Sequence, residues 1–167
     1  YAAVADAKTP EARLEAAVRA APDVPTATRD VYLIFLEHFD RNVAAAIRAI
    51  ANAPEGGVVV HCAGGKDRTG LLTALLLHVA GVDVDEIAAD YALSEERLLP
   101  RHQAWFDAAE SEDELERLRR IAQTPAASMT GVFAGSTTML DFEGATQGSW
   151  WRGTSALAYF DYYGVRR

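Results

Sequence analysis

The chain has 167 residues, half of them apolar, with a formal net charge of −8 and a single cysteine. This length and apolar content predict one globular domain with its own core. The acidic balance argues against nucleic acid or an anionic membrane surface as a partner, because clustered Lys and Arg bind such partners. No apolar run reaches the roughly 18 residues of a membrane span.

The lone Cys62 excludes a disulfide within the chain and suits a reducing compartment, so we expect a cytoplasmic protein. No signal peptide is recognisable, although export without one stays open. The chain starts at Tyr1 inside a helical pattern, and we therefore expect part of the N-terminus to be missing.

Helices are predicted before residue 51. Thr9-Pro10-Glu11 supplies an N-cap, a proline at the first helical position and an acidic first turn, so a helix should run to about Ala21. Past Pro25, apolar residues recur at helical spacing and indicate a face packed in the core. These residues are Val31, Tyr32, Phe35, Leu36, Phe39, Val43, Ala46, Ile47 and Ile50.

A strand, a loop and a helix are predicted next. Residues 54–57 form a turn signal, residues 58–60 are valines, and the following ten residues read HCAGGKDRTG. Residues 71–77 then continue as an apolar helix. Such an arrangement makes an anion pocket, because loop N–H groups point inward and the first helical turn adds unpaired N–H groups and a positive dipole end.

Two side chains of this loop have the chemistry of phosphate transfer. A helix N-terminus and a nearby cation lower the pKa of a thiol, which would make Cys62 a thiolate. Arg68, six residues later, has a planar fork that binds two phosphate oxygens at once. The Thr69 hydroxyl could donate to the sulfur. The predicted phosphate- and substrate-binding set is Ala63, Gly64, Gly65, Lys66, Asp67, Arg68 and Thr69.

Helices are also predicted after the loop. Gly81 is typical of a residue that ends a helix, and Asp83 begins a capping box ahead of inward-facing Ile87, Ala88 and Tyr91. Ser94 and Ser111 look like two further helix starts, and Pro100 predicts a break or kink. Residues 126–167 are rich in Gly, Ser and Thr, with short β-type pieces at residues 132–133 and 139–142 and a tryptophan pair at residues 150–151.

The motif His-Cys-(any five)-Arg-Thr-Gly resembles the phosphate-binding loop of the protein tyrosine phosphatase superfamily. Its inner part, GKDRTG, and the later DYALS at residues 90–94 are similar to bacterial tyrosine-protein phosphatases of atypical dual-specificity type. The resemblance covers roughly residues 28–125 and implies an α/β cysteine-phosphatase fold with several parallel strands. We therefore expect residues 1–167 to be a single, N-terminally truncated, mostly helical part of a catalytic domain. The strand at residues 58–60 should then present an exposed apolar edge.

The same resemblance implies hydrolysis of phosphate monoesters through a phosphocysteine, with no metal or cofactor. Phosphotyrosine is the first substrate expected, and phosphoserine, phosphothreonine and phosphoinositides are further candidates. Many superfamily members use an Asp from an upstream loop as general acid, and none is recognisable here. Asp67 takes that role in our prediction, although it could instead accept loop N–H bonds or pair with Lys66. Lys66 is expected to contact a substrate phosphate or the developing charge.

Other interpretations of the loop are less consistent with its residues. A nucleotide P-loop needs Ser or Thr directly after Gly-Lys, where this chain has Asp67, and a metal site needs more ligands than Cys62 and His61. A phosphate-binding module without turnover stays open. A sulfurtransferase is disfavoured by Arg68 and Thr69.

Overall fold

The computed structural model describes residues 9–135, and these residues form seven helices. Their bounds are α1 (Pro10–Ala20), α2 (Val24–His38), α3 (Asp40–Ala51), α4 (Asp67–Val79), α5 (Val84–Asp107), α6 (Glu112–Ala122) and α7 (Ala126–Gly135). The β-type piece expected at residues 139–142 and the tryptophan pair lie outside the described residues. Among the helices described, none combines the length and apolarity needed to cross a membrane.

Several predicted helix ends are confirmed by their caps. Thr9 and Ser111 each accept a hydrogen bond at 3.2 Å from the backbone N–H three residues on. Asp83 accepts one at 2.9 Å from the N–H of Asp85. Gly81 has a φ of +85° and follows α4 as predicted, and its left-handed backbone suits glycine. These signals involve only three or four consecutive residues, which is why the sequence predicts them.

The core lies between α2, α3, α4, α5 and α7. Helix α7 packs most extensively against α5 and α2, and its Met129 and Val132 are completely buried. The inward face predicted for the start of α5 is confirmed, since Ile87, Ala88 and Tyr91 are all buried. The strand piece expected at residues 132–133 is wrong, because these residues belong to α7. A short apolar run buried on several sides has no periodicity that distinguishes strand from helix.

The predicted strand at residues 58–60 is also wrong, and the α/β class is not seen in residues 9–135. The segment has no regular secondary structure, and no other described segment forms a strand beside it. A strand needs neighbouring backbone groups as hydrogen-bond partners. The exposed apolar surface expected here is present, because Val58 and Val59 are 48% and 86% exposed.

Two helix boundaries differ from expectation. The apolar period from residue 31 to residue 50 is divided at Phe39, whose φ of −112° and ψ of 26° separate α2 from α3. Conversely, α5 continues through both Ser94 and Pro100. Pro100 removes one N–H donor to the Glu96 carbonyl, but both residues are exposed, so water can replace the missing donor.

Candidate active site

The loop predicted to bind phosphate connects the irregular segment at residues 57–62 to the N-terminus of α4 at Asp67. Gly65 has a φ of +73°, a left-handed conformation that glycine adopts without steric cost. Gly70 serves a different purpose, because a Cβ at that position would lie 2.9 Å from Cδ2 of Tyr91. The loop thus needs one glycine for its backbone conformation and another for a close approach.

The Cys62 sulfur is half-buried and lies 3.2 Å from the Gly65 nitrogen, whose N–H donates to it. Burial raises the pKa of Cys62, whereas the nearby hydroxyl and backbone N–H of Thr69 lower it. The N–H groups of Gly65 and Gly64 lower it further, and the resulting pKa is about 6. At neutral pH the sulfur is therefore mainly a thiolate.

The Thr69 hydroxyl is buried and has no well-aligned hydrogen-bond partner within residues 9–135. Its O–H is free to rotate and is therefore available to the sulfur of Cys62. Donation from this hydroxyl to the sulfur, expected from the position of Thr69 at the start of the helix, stays a prediction.

Arg68 is exposed on the first turn of α4. Within the described part of the chain, no Asp or Glu forms an ion pair with its guanidinium. A guanidinium with no carboxylate partner keeps its planar fork available for an oxyanion from solvent.

Lys66 behaves differently from its neighbour in the motif, since it is only 8% exposed. Its ammonium donates to the carbonyl oxygen of Ile121 and, at 3.4 Å, to that of Gln123. Both carbonyls lie at the C-terminal end of α6, where helix carbonyls lack intrahelical partners. Lys66 thus ties the loop to α6, and its predicted contact with a substrate phosphate stays a prediction.

Asp67 combines exposure with a fixed hydrogen bond. Its side chain is 53% exposed, and its Oδ1 lies 3.5 Å from the Lys66 ammonium. The same oxygen accepts a hydrogen bond at 2.9 Å from the hydroxyl of Tyr32. The ion pair with Lys66 that the sequence left open is therefore present, and the carboxylate is still reachable from solvent.

A groove of about 800 Å³ opens beside Lys66 and Asp67. Its walls come from the end of α1, the start of α2 and the end of α6, and they are mainly apolar. The apolar lining residues are Val18, Ala21, Pro22, Val24, Pro25, Ala27, Val31 and Ile121.

Two residues of the site were not identified from the sequence. Tyr32 was expected only as a core residue, and so was Tyr91, yet their hydroxyl oxygens lie 2.8 Å apart beside Asp67. The available signal was the residue type, because a buried tyrosine hydroxyl normally needs a hydrogen-bond partner and phenylalanine does not.

The sequence matches the model of the tyrosine phosphatase family over residues 2–141, a range that contains all seven helices described. The chain belongs to the tyrosine phosphatase family. The family predicted from the HCAGGKDRTG motif is therefore confirmed.

Two curated relatives, both named as phosphatases, are similar to this chain over shorter stretches. A tyrosine-protein phosphatase of Nostoc commune is 39% identical over 70 residues, which are 42% of this chain and 24% of the relative. The triple specificity protein phosphatase PtpB of Mycobacterium tuberculosis is 54% identical over 37 residues, 22% of this chain and 13% of the relative. The matched stretches thus span a quarter or less of these relatives. No solved structure matches the chain.

Proposed function

We propose that this protein is a cysteine-dependent phosphatase that hydrolyses phosphate monoesters, with phosphotyrosine as its first substrate. The observation that carries the proposal is the position of the Cys62 sulfur in the loop before α4, where it accepts the N–H of Gly65 at 3.2 Å. Its lowered pKa, about 6, favours the nucleophilic thiolate at neutral pH. Membership of the tyrosine phosphatase family supports the reaction class.

In the first step, the Cys62 thiolate attacks phosphorus in line with the leaving oxygen. An S–P bond forms while the P–O bond to the leaving group breaks. The N–H groups of the loop and the guanidinium of Arg68 stabilise the charge that develops on the remaining phosphate oxygens. The proposed binding set is the one predicted from the sequence, Ala63, Gly64, Gly65, Lys66, Asp67, Arg68 and Thr69.

Asp67 is the proposed general acid. It donates a proton to the leaving oxygen in the first step, and its exposed side chain makes it accessible to a bound substrate. In the second step the resulting carboxylate accepts a proton from water, which attacks the phosphocysteine and releases phosphate as the S–P bond breaks. The proton given in the first step is thereby recovered in the second.

Lys66 supplies positive charge beside Asp67, in a chain whose overall charge is −8. Its ammonium already donates to two carbonyls at the C-terminal end of α6, those of Ile121 and Gln123, so direct contact with a phosphate requires it to leave one of them. We propose that its charge attracts the anionic substrate and that its hydrogen bonds hold the loop.

The groove beside Asp67 is the proposed site for the organic part of the substrate. Its volume of about 800 Å³ lies within the range of ligand pockets, and its apolar walls suit an aromatic ring. One relative's name, triple specificity protein phosphatase, supports testing more than one class of phosphorylated substrate. Phosphoserine and phosphothreonine peptides and a phosphoinositide are the further candidates.

One observation favours an alternative, a loop that binds phosphate without turnover. The segment that leads into Cys62 is irregular and exposed, with Val59 86% exposed. A nucleophile whose N-terminal side is loosely held would bind an oxyanion but would not keep the sulfur in line with the leaving group.

The test is hydrolysis of an aryl phosphate, a phosphotyrosine peptide and a phosphoinositide by the chain and by Cys62→Ser. We expect the substitution to lower kcat by about 10⁴-fold or more, because the nucleophile is lost. Equal turnover by both proteins would refute the cysteine mechanism. Binding of vanadate without any turnover would support the alternative, and a persulfide on Cys62 after incubation with thiosulfate would indicate a sulfurtransferase.

A further inference from the structure

A chain of three hydrogen-bonding groups connects the core to the proposed general acid. The Tyr91 hydroxyl oxygen on α5 lies 2.8 Å from that of Tyr32 on α2, which lies 2.9 Å from Oδ1 of Asp67 on α4. Tyr32 and Tyr91 are 4% and 3% exposed. This series of hydrogen bonds therefore begins in the core and ends at a carboxylate that solvent reaches.

The direction of these hydrogen bonds follows from the ionisation of the two tyrosines. Burial raises the pKa of Tyr32, and burial also raises that of Tyr91, to about 12. Both hydroxyls thus keep their protons at neutral pH. A carboxylate accepts and cannot donate, so Tyr32 donates to Asp67 and Tyr91 donates to Tyr32.

The tyrosine pair packs directly on the first turns of α4. The two rings meet edge to face, with centroids 6.1 Å apart. The ring of Tyr91 approaches Gly70 so closely that a Cβ there would lie 2.9 Å from it. Gly70 is about one helical turn from Asp67, so the tyrosine pair lies against the same end of α4 as the carboxylate.

One carboxylate oxygen of Asp67 is already occupied by contacts within the protein. Oδ1 accepts from Tyr32 and faces the Lys66 ammonium at 3.5 Å, so a proton on the carboxyl group belongs on Oδ2. We propose that Tyr32 is a positioning residue, which holds Asp67 so that Oδ2 carries the proton toward the leaving oxygen. This inference rests on the proposed role of Asp67.

The decisive variant is Tyr32→Phe, which keeps the ring and its contact with Tyr91. With phenyl phosphate, whose leaving group needs a proton, we expect kcat to fall about tenfold and KM to stay within about twofold. With 2,4-dinitrophenyl phosphate, whose leaving group departs unprotonated, kcat should stay within about twofold. Both substrates are measured on the same preparation, so partial unfolding would lower both rates equally and would not imitate this pattern.

A double-mutant cycle tests whether Tyr32 acts through Asp67. In an Asp67→Asn background, Tyr32→Phe should cause no further loss with phenyl phosphate, because the group that it positions is already absent. The inference would be overturned if the losses of the two single variants multiplied in the double variant. It would also be overturned if Tyr32→Phe lowered kcat equally with both substrates. Tyr91→Phe is the matched control, and its loss should be smaller because the bond from Tyr32 to Asp67 remains.

The outcomes separate this inference from the proposed function. Turnover that survives Cys62→Ser would refute the cysteine mechanism itself. Turnover that depends on Cys62 but is unchanged by Tyr32→Phe would refute only the positioning role. An Asp67→Asn variant that loses no more with phenyl phosphate than with the dinitrophenyl ester would refute both the acid and its positioning residue.

Discussion

The two sides of the phosphate loop are held very differently. On the C-terminal side, Lys66 bonds to α6, Asp67 bonds to α2, and Gly70 packs against α5. On the N-terminal side, residues 57–61 are irregular, and Val59 is 86% exposed. The N-terminus of α4 therefore positions the loop, while Cys62 is held to the loop mainly by backbone N–H groups around its sulfur.

Because of this asymmetry, the residues that stabilise the fold around the loop differ from the residue that performs the proposed attack. The residues that anchor the loop contact three other helices, so their loss should weaken the fold. The residue that performs the proposed attack lies on the loosely held side, so its loss should change activity and leave the fold intact.

The largest expected difference in stability is between Leu71 and Val59. Leu71→Ala removes a side chain that is 2% exposed at the start of α4, and it should lower the free energy of unfolding by about 2–5 kcal/mol. Val59→Ala changes a side chain that is 86% exposed and should cost less than about 0.5 kcal/mol. Urea unfolding of both variants measures the difference. Similar losses would show that the N-terminal side is packed after all.

A smaller effect is expected from Lys66→Met, which keeps an unbranched apolar stem and removes the ammonium. The carbonyls of Ile121 and Gln123 lose a charged donor, so we expect a loss of about 1–3 kcal/mol in the free energy of unfolding. Arg117→Met is the control, because that arginine is 62% exposed and its ion pair should contribute less than about 1 kcal/mol. Equal losses would indicate that Lys66 does not anchor the loop.

The most local effect concerns the pH dependence of Cys62. Alkylation by iodoacetamide follows the thiolate, so its rate should rise with pH with a midpoint near the pKa of about 6. Because the folded-state pKa lies below the ordinary thiol value of 9.0, the thiolate stabilises the fold at high pH. That stabilisation is lost as the pH falls through about 6.

The Thr69 hydroxyl is the second largest influence on this pKa after burial, and it lowers the value. Thr69→Val should therefore move the alkylation midpoint upward, whereas Thr69→Ser keeps the hydroxyl and should leave it near the original value. An unchanged midpoint in Thr69→Val would show that the backbone N–H groups hold the thiolate without the hydroxyl.

Much of the local structure could be predicted from the sequence. Thr9, Asp83 and Ser111 begin helices as their cap patterns indicate, and Gly81 follows the end of one. The errors occurred where burial or missing neighbours override local preference. Residues 58–60 have β-type composition but no neighbouring strand in residues 9–135, and Val132 is in a helix because α2 and α5 surround it.

By itself, the sequence determined the family, the position of the candidate loop and the side chains it contains, because ten consecutive residues carry that chemistry. Only the tertiary structure decided what surrounds these side chains. Lys66 reaches a carbonyl 55 residues away, and Asp67 meets a hydroxyl 35 residues away. Contacts at such separations depend on how helices pack against one another, and no local pattern of residues specifies them.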